Sequence, residues 1–565
     1  MQIDAARLPT GATLAAEVAI VGAGPAGITL ALELADAGHQ VLLIESGGSS
    51  YSRDVQRLGD TIGNDVFHAP MSAATRRQIG GTSNLWSGRC VPFDPVDFQQ
   101  REIVGDARWP VSYGELEKYF ARACGWFKCG QPTFDSAQVP NLAGHSLIPG
   151  WPGGEIRATS LERYSLPTNF GRVYGARLKS SPLVTLVSDL TCTEIVCRPD
   201  GRSIERLAAR TLAGNEVRVR AKRYVLAAGG VETTRLLFAS NRHHAAGVGN
   251  HSGHLGRWYM GHVGASIARA HFSTPPEATI YGFERDPEGV YVRRRFTFSQ
   301  DYQIEHDLPN IAMYLENPDM SDPSHGNAIL SVIYLILASP LGRHVISEGV
   351  RQSKIDTGSS NSTWLHIRNV VRHLPQAISF ALRFGYERFV RPGRKVPGFV
   401  VPSPSNSYPL YYHGEHLPNY DSCIAPSSET DALGMPRIRT NLHFSDEDIR
   451  NGIRAHEHLD RYLRRHGLGH LEYLFEDPEE ELRKRLLDGY HQAGTTRMSD
   501  RPQDGVLNPH LGVHGFEELF VASSSAFVTS GQANSTFMIV VLALRLADHL
   551  RRGLRLDTEA PNPAA

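Results

Sequence analysis

Near the amino terminus the residues Gly22-Ala23-Gly24-Pro25-Ala26-Gly27 form a G-x-G-x-x-G turn. In such a turn the first glycine permits tight bending, the second lets the backbone approach a pyrophosphate, and the third lets helix and strand pack closely. The free N–H groups at the start of the following helix bind phosphates. Glu45, at the end of the next apolar run, can accept hydrogen bonds from an adenosine ribose. A glycine-rich turn alone is a weak signal, but this whole arrangement predicts a dinucleotide site.

Three further residues have side chains suited to catalysis or binding. His491 lies in HQAGTTRM, and a histidine can accept a proton at neutral pH. A lone histidine in a turn rich in glycine and threonine is, however, more often a structural residue. Asn534 by itself is an ordinary helix N-cap, and the same residue can serve both as a cap and in catalysis. Glu415, in YYHGEHLPN, either lines a pocket or is a solvated loop acid, so the residues alone leave all three roles open.

Metal and disulfide chemistry find little support in the sequence. His510 and His514 lie four residues apart, but the glycines around them argue for a turn rather than a helix face, and we predict no metal. The six cysteines are too sparse for a disulfide framework, and their close pairs have C-x4-C spacing. We expect them to be reduced and mostly buried, with a disulfide between Cys124 and Cys129 as the alternative.

Short apolar runs and periodic segments predict the elements that position these residues. The turns at 22–27, 227–230 and 522–525 each follow a predicted strand and precede a predicted helix. The strands are Val18–Val21, Val41–Ile44, Val225–Leu226 and Phe520–Val521, and the helices are Ile28–Ala37, Glu232–Ala239 and Phe537–Leu550. A further helix is predicted over Tyr113–Phe127.

The composition limits the classes of protein. A chain of 565 residues with 41% hydrophobic residues should divide into two or more structural units. The net charge of −1 gives no electrostatic reason to expect nucleic acid or an anionic membrane as the main partner. Met1–Ala16 lacks the features of a secretory signal, so we expect a cytoplasmic protein. The apolar run Ala328–Pro340 is too short to span a bilayer and predicts a buried helix or strand pair.

One segment, Gly342–Lys395, combines ten Lys and Arg residues with three Asp and Glu residues and interleaved aromatics. It could be a lid or a docking surface for an acidic or amphiphilic partner. The preferred interpretation is a pair of surface helices whose aromatic side chains face the core.

Four ordered motifs resemble the glucose–methanol–choline (GMC) oxidoreductases, FAD enzymes that oxidise alcohols. They are VGAGPAGITLALELADAGHQVLLIESG, GGTSNLW, VLAAGGVETTRLL and HQAGTTRM…FVASSSAFVTSGQANSTF, which together span nearly the whole chain. GGTSNLW and the His/Asn pair look most like the sugar- and glycoside-oxidising branch, the pyranose oxidase relatives. The resemblance implies an α/β plus α+β fold, with a Rossmann-like FAD-binding domain and a mixed-sheet substrate domain in a p-hydroxybenzoate-hydroxylase-like architecture.

The resemblance also implies domain boundaries. The expected FAD-binding domain comprises 1–105, 183–264 and 488–556. The expected substrate domain comprises 106–182 and 265–487, with a helical insertion at about 328–400, and a disordered tail is expected at 557–565.

Carried over residue by residue, the resemblance makes His491 the base that removes the hydroxyl proton and Asn534 its partner. Glu415 resembles a position in the substrate pocket. Leu85 stands where some relatives carry a histidine joined to the flavin, so FAD is expected to bind non-covalently. Ser523 departs from the family pattern, since relatives usually carry an Asp there that contacts the cofactor near its pyrophosphate. The expected cofactor contacts are Gly22, Gly24, Pro25, Ala26, Gly27, Glu45, Ser46, Gly81, Thr82, Ser83, Asn84, Leu85, Ser524, Ser535 and Thr536.

The helix that begins near Ser535 should direct its positive end at the flavin N1/O2 edge. Because only one G-x-G-x-x-G turn follows a predicted strand, we expect the flavin to be reduced directly by an organic substrate.

The expected activity is oxidation of a secondary or primary alcohol of a sugar, glycoside or polyol, with hydride transfer to flavin N5. O₂, a quinone or a redox protein would be the electron acceptor, and a homo-oligomer is compatible with the sequence. The alternatives are oxidation of a lipid, sterol or other non-sugar alcohol, a flavin-containing cyanohydrin lyase, and a flavin-binding subunit without turnover.

Overall fold

A computed structural model of the protein describes residues 1–63, 66–339 and 363–559. Its strands are β1 (Gln2–Asp4), β2 (Ala12–Val21), β3 (Val41–Ile44), β4 (Arg89–Cys90), β5 (Ile156–Tyr164), β6 (Val184–Ser188), β7 (Thr191–Cys197), β8 (Ile204–Arg210), β9 (Glu216–Leu226), β10 (His262–Phe272), β11 (Phe283–Arg285), β12 (Tyr291–Phe298), β13 (Ile311–Leu315), β14 (Ser407–Glu415), β15 (Cys423–Thr430), β16 (Pro436–Asn441), β17 (Gly469–Tyr473) and β18 (Leu519–Val521).

The α-helices of the described residues are α1 (Pro25–Asp36), α2 (Arg53–Arg57), α3 (Met71–Ala74), α4 (Tyr113–Glu117), α5 (Phe120–Phe127), α6 (Phe170–Ser180), α7 (Gly230–Ala239), α8 (Gln300–Glu305), α9 (Ala328–Ala338), α10 (Thr363–Arg372), α11 (Leu374–Gly385), α12 (Asp446–Arg465), α13 (Pro478–Arg485) and α14 (Thr536–Glu559). A single π-helical turn, Tyr386–Val390, follows α11.

The first sheet is mostly parallel, and its central strands β2, β3 and β9 are apolar and buried on both faces at their carboxyl ends. Its strand order is β1-β6-β3-β2-β9-β8-β7, with β18 paired to β9. Strands β2, β3, β6, β9 and β18 pair in parallel, so that Val21 lies beside both Ile44 and Leu226. Helices α1 and α14 pack on each other within the core of this sheet. The carboxyl ends of these five parallel strands therefore meet at one edge, where cofactors bind in such sheets.

The second sheet is antiparallel and has the order β17-β10-β14-β13-β12-β5-β4, with β11 paired to β12. Strand β10 pairs with β14 so that His262 lies opposite Glu415 and Gly264 opposite His413. Helix α12 packs on β10 and β17 and shares their apolar core. The fold class expected from the sequence, an FAD-binding domain with a GMC substrate domain, is thereby confirmed, whereas the domain boundaries stay a prediction.

Several predicted elements differ in extent. The helix predicted over Tyr113–Phe127 is two helices, α4 and α5, separated near Lys118. The apolar run predicted as a buried helix or strand pair forms a helix, α9, over Ala328–Ala338. The last helix continues to Glu559, so the disorder predicted from residue 557 is wrong for 557–559, and 560–565 lie outside the described residues. No helix in the described part is both long and apolar enough to cross a membrane.

The basic segment Gly342–Lys395 also differs from its preferred interpretation, although 342–362 lie outside the described residues. Phe380 and Phe384 do pack inward, against each other and against Phe399. Trp364, Tyr386 and Phe389 are instead 70%, 52% and 66% exposed, respectively. The prediction that the aromatic side chains face the core is therefore wrong for these three.

Candidate active site

The glycine turn between β2 and α1 has the close approaches that the motif predicts. Gly22 has φ +105°, and a Cβ there would lie 2.5 Å from the carbonyl oxygen of Ala227. A Cβ on Gly27 would lie 1.9 Å from the carbonyl oxygen of Gly22. A Cβ on Gly24, by contrast, would touch only the Cα of Gly81 at 4.0 Å. Two glycines therefore hold the turn together, and the third leaves space for a phosphate.

Glu45 closes this turn from the neighbouring strand. Its buried carboxylate accepts hydrogen bonds from the N–H groups of Ala23 (2.8 Å) and Gly47 (2.9 Å). Burial raises the pKa of Glu45, and those two N–H groups work in the opposite direction. The ribose contact stays a prediction, and the structure adds a second role for Glu45 in shaping the turn.

One continuous cleft connects the turn to His491. Most of the predicted cofactor contacts line it, together with Arg77, Gly229 and Gln492: Gly22, Gly24, Pro25, Ala26, Glu45, Ser46, Gly81, Thr82, Ser83, Ser524, Ser535 and Thr536. Gly27 packs behind the turn, and Asn84 and Leu85 line a neighbouring cavity that shares Ser83 and Trp86 with the cleft. An elongated cleft with a phosphate-binding turn, an acid and a helix N-terminus fits FAD.

Ser523, the departure from the usual Asp, also lines this cleft. Its hydroxyl accepts a hydrogen bond from the N–H of Ser525 at 3.2 Å. Ser524 next to it donates its hydroxyl to the carbonyl of Gln492. These contacts hold the turn after β18 against the segment that carries His491.

His491 is held by an aspartate that the sequence interpretation missed. Its Nδ1 lies 3.1 Å from a carboxylate oxygen of Asp488, which also accepts the backbone N–H of His262 (2.7 Å). The other oxygen accepts the N–H groups of Tyr490 (2.8 Å) and His491 (3.1 Å). Burial alone would raise the pKa of Asp488, but His491 and His262 hold it well below its usual range. With Nδ1–H donating to this carboxylate, the lone pair of His491 is on Nε2.

Asn534 meets His491 directly. Its Nδ2 lies 2.5 Å from Nε2 of His491, so the amide donates to the imidazole. Its Oδ1 is buried and has no hydrogen-bond partner among the described residues. The helix begins at Thr536, and the carbonyl of Ser535 accepts its first hydrogen bond. The expectation that Asn534 is an ordinary N-cap is therefore wrong, because its side chain is hydrogen-bonded to His491 instead of to the backbone of the helix.

Two further histidines, also missed, lie beside His491. The ring of His262 stacks on His413 with centroids 4.5 Å apart and meets His491 edge-on at 4.6 Å. Nδ1 of His413 donates to the carbonyl of Gln532 (2.8 Å). Nδ1 of His262 lies 3.5 Å from the carboxylate of Asp488, whereas its Nε2 has no hydrogen-bond partner within the described chain. Burial lowers the pKa of His262 to about 4 and that of His413 well below its usual value.

Ring nitrogens of these three histidines lie within 4.8 Å of one another, close enough to hold a cation as well as a polar ligand. The absence of a metal stays a prediction. His510 and His514, by contrast, point to different partners: His510 stacks on His549 (4.6 Å), and His514 bonds to Ser499 (3.1 Å). All six cysteines are free, and five of them are buried.

Glu415 lies neither in a loop nor in solvent. It ends β14, is 1% exposed, and pairs with both terminal nitrogens of Arg101 at 2.7 and 2.8 Å. The N–H of Asn310 donates to it as well, at 3.1 Å. The interpretation as a solvated loop acid is wrong, and the ion pair occupies the carboxylate that was expected to line the substrate pocket.

The fold and this site define a class: a flavoprotein oxidoreductase that uses FAD to oxidise CH–OH groups. Residues 15–55 match the FAD binding domain family and residues 418–543 match the GMC oxidoreductase family. The carboxyl-terminal part of the chain is thus similar to the GMC oxidoreductases.

Its relatives are distant in sequence but similar in length. The chain is 21% identical to 2-methyl-1,2-propanediol dehydrogenase of Mycolicibacterium austroafricanum, over 95% of each chain. It is also 21% identical to the fructose dehydrogenase large subunit of Gluconobacter japonicus, over 96% of this chain and 99% of that one. An FAD-dependent oxidoreductase from Chaetomium thermophilum shares its fold, with a TM-score of 0.52, 16% identity and coverage of 96% and 100%.

Proposed function

We propose that the protein oxidises a secondary or primary alcohol of a sugar, glycoside or polyol to a carbonyl, with His491 as the base that accepts the hydroxyl proton. The observation that carries this proposal is the meeting of His491 Nε2 and the Asn534 amide, 2.5 Å apart, beside the cleft that fits FAD. A buried carboxylate fixes the imidazole from its other side.

The residues suggest how the proton moves. A substrate hydroxyl donates to Nε2 of His491 and replaces the hydrogen bond from Asn534, whose Nδ2 then donates to the same oxygen. As the proton transfers to Nε2, the carboxylate of Asp488 stabilises the positive charge on the imidazole. Bound FAD supplies the two-electron oxidant that this chemistry needs.

His262 and His413 favour a substrate with more than one hydroxyl. Both rings are buried, and the lowered pKa values keep them neutral at pH 7, able to donate or accept without adding charge. The Nε2 atom of His262, which has no partner among the described residues, is costly to bury unless a ligand binds it. A hydroxyl next to the reacting one would do so, and two relatives are named for a vicinal diol and for a sugar.

FAD is proposed to bind non-covalently. The support is Leu85, an aliphatic residue at the position where some similar enzymes carry the histidine that is joined to the flavin. Denaturation in acid or urea followed by filtration tests this proposal. Release of free FAD supports it, whereas a yellow polypeptide contradicts it.

The function is tested by mixing the FAD-loaded protein anaerobically with sugars, glycosides, polyols, monohydroxy alcohols, sterols and cyanohydrins. Bleaching of the flavin by polyhydroxy substrates supports the proposal. Bleaching only by sterols or monohydroxy alcohols would contradict the proposed substrate class and indicate a non-sugar alcohol instead. Cleavage of a cyanohydrin without bleaching would indicate a lyase.

A further inference from the structure

The helical segment Thr363–Val390 exposes many large apolar side chains. Trp364, Val371, Leu382 and Phe389 are 70%, 68%, 70% and 66% exposed, respectively. Isolated exposed apolar residues need no explanation, but a contiguous group on a soluble protein marks an interaction surface.

Helix α10 is amphipathic, but it buries its polar face and exposes its apolar face. Its buried face is polar: His366 bonds to Ser331 (3.1 Å), and Asn369 donates to the carbonyl of Pro323 (2.8 Å). Its exposed face carries Trp364, Ile367 and Val371, which follow one another at helical spacing. A surface helix normally buries its apolar face against the core. The exposed apolar face of α10 is therefore suited to contact an apolar environment outside the protein.

Helix α11, which contacts α10, and the turn after it also expose apolar side chains. Every fourth residue is apolar and exposed, which places one row along the helix: Leu374, Ile378, Leu382, Tyr386 and Val390. The opposite face is fixed by Phe380 and Phe384 against Phe399 at centroid distances of 4.9 and 5.4 Å. The exposed row therefore lies on an anchored helix.

The charge of this segment identifies the kind of partner. Between residues 363 and 395 there are seven Lys and Arg residues and one Glu, although the whole chain has a net charge of −1. Arg368, Arg372 and Arg383 are exposed, and each directly follows an exposed apolar residue in the chain (Ile367, Val371 and Leu382). Exposed Trp, Phe and Leu side chains flanked by cations match the acyl boundary and the anionic headgroups of a membrane surface.

The segment also adjoins the active-site region. Arg388, Phe389 and Lys395 line an open cavity of about 930 Å³. Ser83 and Trp86 line both this cavity and the cofactor cleft. A surface bound through Phe389 would therefore face the mouth of that cavity.

We propose that α10, α11 and the following turn dock the protein on an anionic lipid surface, with Trp364, Val371, Leu382 and Phe389 entering the headgroup region and the adjacent arginines contacting lipid phosphates. No membrane-crossing helix is required, because the helices lie in the plane of the interface.

The test is flotation of the FAD-loaded full-length protein with vesicles of equal parts phosphatidylcholine and phosphatidylglycerol, compared with phosphatidylcholine alone. We expect binding to the anionic vesicles that falls about tenfold in Trp364→Ser/Val371→Ser/Leu382→Ser and in Arg368→Glu/Arg372→Glu/Arg383→Glu. The matched control is Leu212→Ser/Ile304→Ser, which removes two apolar side chains exposed elsewhere, 44% and 46%. The control should bind like the unchanged protein.

Three results would overturn the proposal: no flotation of the unchanged protein, equal loss of binding in the control, or light scattering showing that the serine variants only break a dimer. FAD content and thermal melting, measured on every variant, show that each is folded. Because the readout is flotation and not turnover, failure here leaves the proposed function untouched, and the reverse also holds.

Discussion

Replacing Asp488 with Asn tests the role of the buried carboxylate behind His491. The two carboxylate oxygens accept three backbone N–H groups and the imidazole Nδ1–H. Asparagine has nearly the same shape as aspartate but no charge, and its NH₂ group would face N–H donors that the carboxylate oxygen now accepts. We expect a loss of stability of about 1–3 kcal/mol from the mismatched hydrogen bonds.

The larger effect should be on the rate. When His491 accepts the substrate proton, its positive charge lies 3.1 Å from the Asp488 oxygen, measured from Nδ1. At an effective dielectric constant of about 20 this attraction is about 5 kcal/mol. His491 is partly exposed, 21% at its side chain, so solvent reduces the figure to roughly 3 kcal/mol. That energy corresponds to a decrease of about a hundredfold in rate.

The assay is stopped-flow bleaching of the flavin by substrate without oxygen, on protein with a measured FAD content. The matched control is Asp448→Asn, another buried carboxylate, which accepts the N–H of Leu417 (2.9 Å) and bonds Ser445 in the cap of α12. The control should lose stability but keep its rate. The reasoning is refuted if Asp488→Asn reduces flavin within threefold of the unchanged rate, or if both variants slow equally.

Two further predictions concern the cofactor site and the core. Gly27→Ala should abolish FAD binding, because its Cβ would lie 1.9 Å from the Gly22 oxygen. The control Gly175→Ala, whose Cβ would meet nothing within 4 Å, should keep a full flavin spectrum. A yellow Gly27→Ala protein would contradict this prediction. Stability should fall as pH decreases from about 6.5 to about 4, since burial lowers the pKa of His456 to about 4 and the unfolded chain binds that proton first. The free energy of unfolding, measured in urea, should fall by up to about 3 kcal/mol over this pH range because of His456, and it should depend less on pH in His456→Gln. The same pH dependence in both proteins would exclude this role of His456.

The sequence could predict the cofactor cleft because its determinants are local. Gly22–Gly27, the flanking strand and helix, and Glu45 lie within one short βαβ unit, so spacing alone predicts their geometry. The four motifs of the family likewise pointed to the pairing of His491 with Asn534, which the structure brings into contact. The interpretation of Asn534 as a cap failed, because it treated the residue as part of its own helix.

The residues that sequence reasoning missed depend on long-range strand pairing. His262 and His413 reach His491 only because β10 and β14 are neighbours in the second sheet. No local pattern specifies that pairing. Asp488 left a weak signal, since it precedes His491 by three residues. Glu415 was misread for the same reason, because Arg101 is far from it in sequence.

Helix α10, which exposes its apolar face, shows a different limit. The sequence predicted a pair of surface helices in 342–395 with their aromatic side chains facing the core, but composition does not state which face of a helix is buried. Ser331 and the Pro323 carbonyl, both on a preceding segment, attract the polar face of α10. That choice depends on hydrogen-bond partners that become adjacent only in the folded chain.

The central claim is that His491 removes the hydroxyl proton of an alcohol beside bound FAD. Its most direct test compares anaerobic bleaching of the flavin in the unchanged protein and in His491→Gln, each with measured FAD content. We expect both to be yellow, the unchanged protein to bleach with a polyol or sugar, and the variant to bleach at least about a hundredfold more slowly. Bleaching at the same rate in both proteins would contradict the account.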